Sequence, residues 1–213
     1  PALLQARSAP ADKAALVPVR SLLTRPPVWA IFIAHFCNNW GLYLLISWLP
    51  SYFRAMGLSV GNTGLYSAAP WLAAFVTGNL AAVLADKAIA RGAPVVLVRK
   101  LIVGIGLIGF ATFLVLVRNV HAPALALTLV CAATAALGIG WSGFAANMLD
   151  IAPRHGAVLI GVSNTLATIP GVAGVAITGW LLDRTGTYAA TFLLTAAIAI
   201  GGALIYFVFG SDR

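Results

Sequence analysis

Six long apolar runs constrain this chain more than any other feature of its sequence. They cover residues 28–50, 63–85, 101–117, 122–149, 157–182 and 188–209, and none contains Asp, Glu, Lys or Arg. About 20 apolar residues in a helix span the hydrocarbon core of a bilayer. The alternating pattern of membrane strands does not occur in these runs. We therefore predict an all-α membrane protein, a bundle of six transmembrane helices.

The composition excludes a soluble globular domain. Charged residues make up 8% of the chain and hydrophobic residues 61%, whereas soluble domains carry about 25% charged residues. The net charge is +8, but the basic residues stand singly or in pairs between apolar runs. A nucleic-acid-binding protein clusters them on one polar face. We therefore expect the lipid bilayer as a partner, and no nucleic acid.

The distribution of Lys and Arg predicts the orientation, because cytoplasmic loops carry an excess of basic residues. Residues 1–27 show no cleavage-site pattern and are expected to be a cytoplasmic linker that ends in a short surface helix, before a transmembrane domain over 28–213. Ten basic residues then lie inside and three outside, which predicts both termini on the inner side. The inner residues are Arg7, Lys13, Arg20, Arg25, Lys87, Arg91, Arg99, Lys100, Arg154 and Arg213, and the outer ones are Arg54, Arg118 and Arg184.

The loop after the second run resembles the signature loop of the major facilitator transporters. That signature has a small residue, three others, Asp, a basic residue and then further basic residues. Here Ala82 replaces the usual Gly, and Asp86 is followed by Lys87, Arg91, Arg99 and Lys100. A second, shorter echo over 179–186 closes the fifth run. Each stretch is also compatible with an ordinary charged loop.

A more specific resemblance extends over nearly everything from Arg20 to the end. Its most specific part is 147–154, which reads Asn-Met-Leu-Asp-Ile-Ala-Pro-Arg. The other stretches are 34–45, 48–53, 64–72, 98–100, 142–146, 159–165, 167–171 and 202–211. In this order they resemble the anion:cation symporter family, which includes sodium–phosphate, sialic acid, vesicular glutamate and plastid phosphate or ascorbate transporters.

The resemblance implies a fold and a function. The family has twelve helices, and this chain resembles helices seven to twelve. The implied function is secondary active transport of an inorganic or organic anion, coupled to Na⁺ or H⁺. An N-terminal six-helix half would be the partner, with the substrate held between the halves. Two alternatives remain open: another major facilitator substrate class such as sugars or sugar acids, and a six-helix assembly module that does not transport.

One departure from the family bears on the substrate. Vesicular glutamate members carry Arg where this chain has Asn38, which weakens a glutamate assignment. Phosphate, ascorbate, sialic acid and sugar acids remain open. The membrane also remains open between the plasma membrane, the plastid envelope and a vesicle.

Polar residues inside the spans are the candidates for substrate binding, because such groups are costly in lipid and usually face the bundle interior. His35, Asn39 and Tyr43 are spaced i, i+4 and i+8, within an arc of about 80° on one helix face. That face offers an imidazole, an amide and a phenol to an anion. The alternative is hydrogen bonding across a helix interface. Further candidates are Asn147, Ser163 and Asn164.

Charged residues at the predicted inner ends form a candidate gate. Asp150 and Arg154 are four residues apart, although Pro153 makes a regular helix there uncertain. We expect them to contact Asp86 and either Arg99 or Lys100 and to favour the outward-facing state. Solvated loop charges of little energetic value are the alternative.

Enzymatic and metal-binding functions are not indicated. Membrane-embedded enzymes need clustered catalytic groups, whereas the spans contain one His, His35, and no carboxylate. Cys37 and Cys131 lack the Cys or His companions of a metal site. We therefore predict no catalytic residues, no metal and no cofactor.

Overall fold

A computed structural model describes residues 19–212. The predicted six-helix architecture is confirmed, and the described residues contain no strand. A short helix, Val19–Leu22, precedes six long ones, each long and apolar enough to cross a membrane. They are α1 (Pro26–Ala55), α2 (Val60–Ala90), α3 (Val95–Val117), α4 (Pro123–Ile151), α5 (Gly156–Thr185) and α6 (Ala189–Phe209). Residues 1–18 of the predicted linker lie outside the described range, as does Arg213.

Several helices are longer than the apolar runs that predict them. An apolar run marks the part of a helix inside hydrocarbon, but the helix continues into the interface, where charged side chains are solvated. The largest shift of a single helix end is at α3, which begins at Val95 instead of 101. Arg99 and Lys100, predicted as loop residues, therefore lie within its first two turns.

Small residues allow α4 to approach two neighbouring helices closely. A Cβ atom on Gly138 would collide with the backbone of Ala74 on α2, and one on Gly106 of α3 would collide with the backbone of Gly140. Such close backbone approach is the usual way in which helices associate in lipid. These two close backbone contacts hold α4 between α2 and α3.

The most buried of the six helices is α1, which packs against α4, α5 and α6. The most exposed is α2, whose contacts are mainly with α4. Because the loops between successive helices are short, neighbouring helices alternate in direction, and α1 and α5 run parallel. This arrangement brings the polar residues of α1 against α4 on one side and α5 on the other.

Candidate functional site

The interface between α1 and α5 contains a ladder of polar contacts. His35 Nδ1 and Ser163 Oγ share a hydrogen bond of 2.7 Å. One turn further along, Asn39 Nδ2 donates to the carbonyl of Ala167 at 2.9 Å. Both pairs are separated by 128 residues in the chain. The constant offset follows from the parallel direction of the two helices, because each rises one turn in about four residues.

Tyr43 adds the third step of this ladder. Its ring lies against Gly171, where an added Cβ would come within 3.2 Å of the ring atoms. The three predicted residues of α1 therefore share one face, and that face is covered by α5. His35 and Asn39 are buried, and Tyr43 is half-buried. The contacts are those of interhelical packing, the alternative raised by the sequence, and a role in substrate binding stays a prediction.

Several buried polar atoms near this ladder have no hydrogen-bond partner among the described residues. Three of the five such atoms on α1 lie within one turn, and they are His35 Nε2, Asn38 Oδ1 and Asn39 Oδ1; the other two are Trp48 Nε1 and Tyr52 Oη. Native proteins leave few such atoms unpaired, so each calls for an explanation such as a functional role or a bound water or ion. Sequence reasoning noted Asn38 only as the position where vesicular glutamate members carry Arg, and it was not among the predicted site residues because it lies next to the predicted arc and not within it.

A groove opens on the other side of α1, between α1, α2 and α4. It consists of two adjoining cavities of about 510 and 280 Å³. Ala74, Gly138 and Trp141 line both of them. The larger cavity is completed by Phe75, Gly78, Asn79, Ala82, Ser142 and Ala145, and the smaller one by Asn38, Leu42, Trp71 and Leu137. No charged side chain is among these lining residues.

Trp141 is held in place by two aromatic contacts. Its ring centroid lies 5.0 Å from that of His35 and 5.4 Å from that of Phe144, both edge to face. The hydrogen bond between His35 and Ser163 in turn fixes the imidazole. The polar ladder and the groove are therefore connected through His35. The sequence offered only a weak signal, a Trp within an apolar span.

A second polar cluster joins α3, α4 and α6 at their predicted inner ends. Arg99 Nε donates to Asp150 Oδ2 at 2.7 Å, and Arg99 Nη2 donates to Asp150 Oδ1 at 3.4 Å. One turn away, Asn147 Nδ2 donates to the hydroxyl of Tyr206 at 2.6 Å. Arg99, Asn147 and Tyr206 are buried. Tyr206 was not predicted, because nothing in α6 itself marks it as a polar partner of α4.

The other predicted gate residues lie outside this cluster. The α4 helix ends at Ile151, so Arg154 does not follow Asp150 by one regular turn, and it is exposed. Asp86 is also exposed and makes no ion pair within residues 19–212. Arg154 likewise makes no ion pair within these residues, and the gate role stays a prediction. Lys87 and Arg91 are likewise exposed, Lys100 is half-buried, and Asn164 is exposed on α5.

Comparison with known proteins places these features in a family. A profile described as Major Facilitator Superfamily matches residues 1–175. The chain is 35% identical to "Ascorbate transporter, chloroplastic" of Arabidopsis thaliana, over 97% of this chain and 38% of that protein. It is 34% identical to "Probable anion transporter 4, chloroplastic" of Oryza sativa subsp. japonica, over 92% of this chain and 33% of that protein.

A third relative has a different named substrate. "Sodium-dependent phosphate transport protein 1, chloroplastic" of Arabidopsis thaliana is 33% identical, over 92% of this chain and 38% of that protein. This chain therefore spans less than two fifths of the length of each of these three relatives. All three are named as transporters and none as an enzyme.

Proposed function

This chain belongs to the Major Facilitator Superfamily, and we propose that its six spans form one half of a secondary transporter that carries a small anion across a membrane. Alternating access would move the anion between the two sides, driven by a Na⁺ or H⁺ gradient. The chain is an integral, multi-pass membrane protein. Because the relatives above are named chloroplastic, the proposed location is the plastid envelope.

The observation that carries the proposal is the convergence of polar side chains on α1 at membrane depth. His35, Asn38 and Asn39 are buried, and each has a polar atom without a partner among the described residues. Polar groups within a membrane span are costly and usually serve a pathway or a site. Among the described residues, α2, α4 and α6 each carry one unpaired buried side-chain atom, whereas α1 carries three within a single turn. The names of the relatives supply the substrate class, a small anion.

The anion also requires a positive counter-charge. Among the described residues the buried cation is Arg99, which Asp150 already neutralises. Desolvating an unpaired ion costs far more than two neutral hydrogen bonds return. We therefore assign the counter-charge to a second six-helix half that faces α1. In that arrangement this chain contributes the neutral side of the site.

Reconstitution in liposomes tests the proposal. The 213-residue chain alone is expected to carry neither labelled phosphate nor labelled organic anions. Joined to an N-terminal half, it is expected to support uptake that collapses when the Na⁺ and H⁺ gradients are removed. Robust uptake by the chain alone would refute the half-transporter assignment.

Point variants test the ladder separately from the transport function. Tyr43→Phe and Asn39→Ala are expected to reduce uptake without preventing membrane insertion. Asn62→Ala, an exposed residue in the first turn of α2, is the matched control. If both ladder variants transport like the control, the transport proposal stands, but the ladder is packing only.

A further inference from the structure

We infer that the groove between α1, α2 and α4 binds the uncharged, hydroxylated ring of an organic anion, so that the substrate is an organic anion and not inorganic phosphate. This inference rests on the transport function proposed above and names its substrate class. The lining residues of both cavities are uncharged. The part of a ligand that lies there is therefore its neutral part.

The size of the groove favours an organic molecule. The two adjoining cavities, of about 510 and 280 Å³, share three lining residues. Sites for organic ligands commonly occupy about 300–1,000 Å³ and combine apolar or aromatic walls with a few polar groups. Phosphate is much smaller than a groove of this size and has no apolar surface to place against its aromatic walls.

The aromatic residues of the groove suit a ring. Trp141 is half-exposed, and its position is fixed by edge-to-face contacts with His35 and Phe144. Trp71 contributes a second indole from α2. Indole rings bury large flat apolar surfaces, so a sugar or lactone ring can pack against such a face while its hydroxyl groups point elsewhere.

The polar groups of the groove include both acceptors and donors of hydrogen bonds. Asn79 Nδ2 already donates to the carbonyl of Phe75, and Ser142 Oγ donates to that of Ile139. The oxygens of Asn79 and Ser142 are thus left as acceptors, whereas the indole N–H groups of Trp71 and Trp141 are donors. The hydroxyl groups of a ligand can donate to the first pair and accept from the second.

Uptake by the complete transporter in liposomes tests this inference. Labelled ascorbate and glucuronate are expected to be carried and to compete with each other, and phosphate to be neither carried nor competitive. Trp141→Ala is expected to raise KM for both organic anions roughly tenfold, and Trp141→Phe to retain most of the affinity. Trp180→Ala removes an exposed indole of α5 outside the groove and is expected to leave KM unchanged.

The outcomes separate this inference from the transport proposal. Phosphate uptake that neither organic anion inhibits would overturn the inference and leave anion transport intact. Loss of every anion flux in the complete wild-type transporter would overturn both. Equal KM values in Trp141→Ala and Trp180→Ala would also overturn the inference.

Thiol labelling keeps the test valid if Trp141→Ala fails to fold. Asn79→Cys places a thiol in the groove, and Asn62→Cys places one on the same helix outside it. Glucuronate at about ten times its KM is expected to slow maleimide labelling of Asn79→Cys roughly tenfold. Labelling of Asn62→Cys is expected to stay unchanged. Phosphate is expected to protect neither, and the unsubstituted protein corrects for Cys37 and Cys131. Equal labelling of Asn79→Cys with and without glucuronate would refute occupancy of the groove.

Discussion

The ion pair between Arg99 and Asp150 leads to a quantitative prediction about stability. The Arg99 side chain is 8% exposed, whereas that of Asp150 is 26% exposed. Asp150→Ala leaves a buried guanidinium without its counter-charge. Arg99→Met keeps the aliphatic stem and leaves a carboxylate that water can reach. The two substitutions break the same contact, but they should not cost the same free energy of unfolding.

The expected losses of unfolding free energy follow from the exposed fractions of the Arg99 and Asp150 side chains. Breaking a fully buried pair by removing one partner costs about 3–5 kcal/mol, and an exposed pair is worth about 0–1 kcal/mol. For Asp150→Ala we expect a loss of about 2–3 kcal/mol, near the buried limit but reduced by the partial exposure of the pair. For Arg99→Met we expect about 1 kcal/mol, because the remaining Asp150 is hydrated. The double variant should be more stable than Asp150→Ala alone, since it leaves no buried charge.

Unfolding titrations in detergent micelles, followed by tryptophan fluorescence, measure all three variants. Asp183→Ala is the control, because Asp183 is exposed near the end of α5 and forms no ion pair within residues 19–212. It should stay within about 0.5 kcal/mol of the parent protein. If Asp150→Ala resembles this control, or if Arg99→Met is the more damaging of the two, the argument from burial is wrong.

Three further predictions concern neighbouring features. Asn147→Ala should cost about 1 kcal/mol of unfolding free energy in the same titration. Adding Tyr206→Phe to this variant should cost nothing further, because the two substitutions remove the same hydrogen bond. Additive losses in the double variant would contradict this. Gly138→Leu should cost at least about 1–3 kcal/mol, because a side chain there meets the backbone of Ala74; parent-like unfolding would show that α2 and α4 pack differently. Asp150→Asn should shift the complete transporter towards the inward-facing state, measured by the accessibility of inner-side cysteines; unchanged populations would remove the gate role.

The fold was predictable because lipid imposes a strong and local rule. A helix must cover about 30 Å of hydrocarbon, so six uncharged runs define six spans. The same rule does not locate helix ends, which lie in the interface. Arg99 shows the consequence: α3 begins four residues before it, and a residue assigned to a loop is a buried member of an ion pair.

The candidate site was predictable only in part, because a sequence period identifies a helix face but not what covers it. The spacing of His35, Asn39 and Tyr43 correctly placed them together. That α5 covers them, and that His35 also contacts Trp141, depends on helices more than 100 residues away in the chain. The groove was missed for the same reason, since Asn38, Asn79 and Ser142 become neighbours only when three helices pack.

The constant offset between the contacts of α1 and α5 has an evolutionary consequence. One residue inserted between His35 and Asn39 would rotate the rest of α1 by about 100° and break the later contacts with α5 together. The same insertion in the loop after α1 would leave every contact in register. Lineages should therefore accumulate length changes in the loops, while the ladder segments of α1 and α5 keep their lengths.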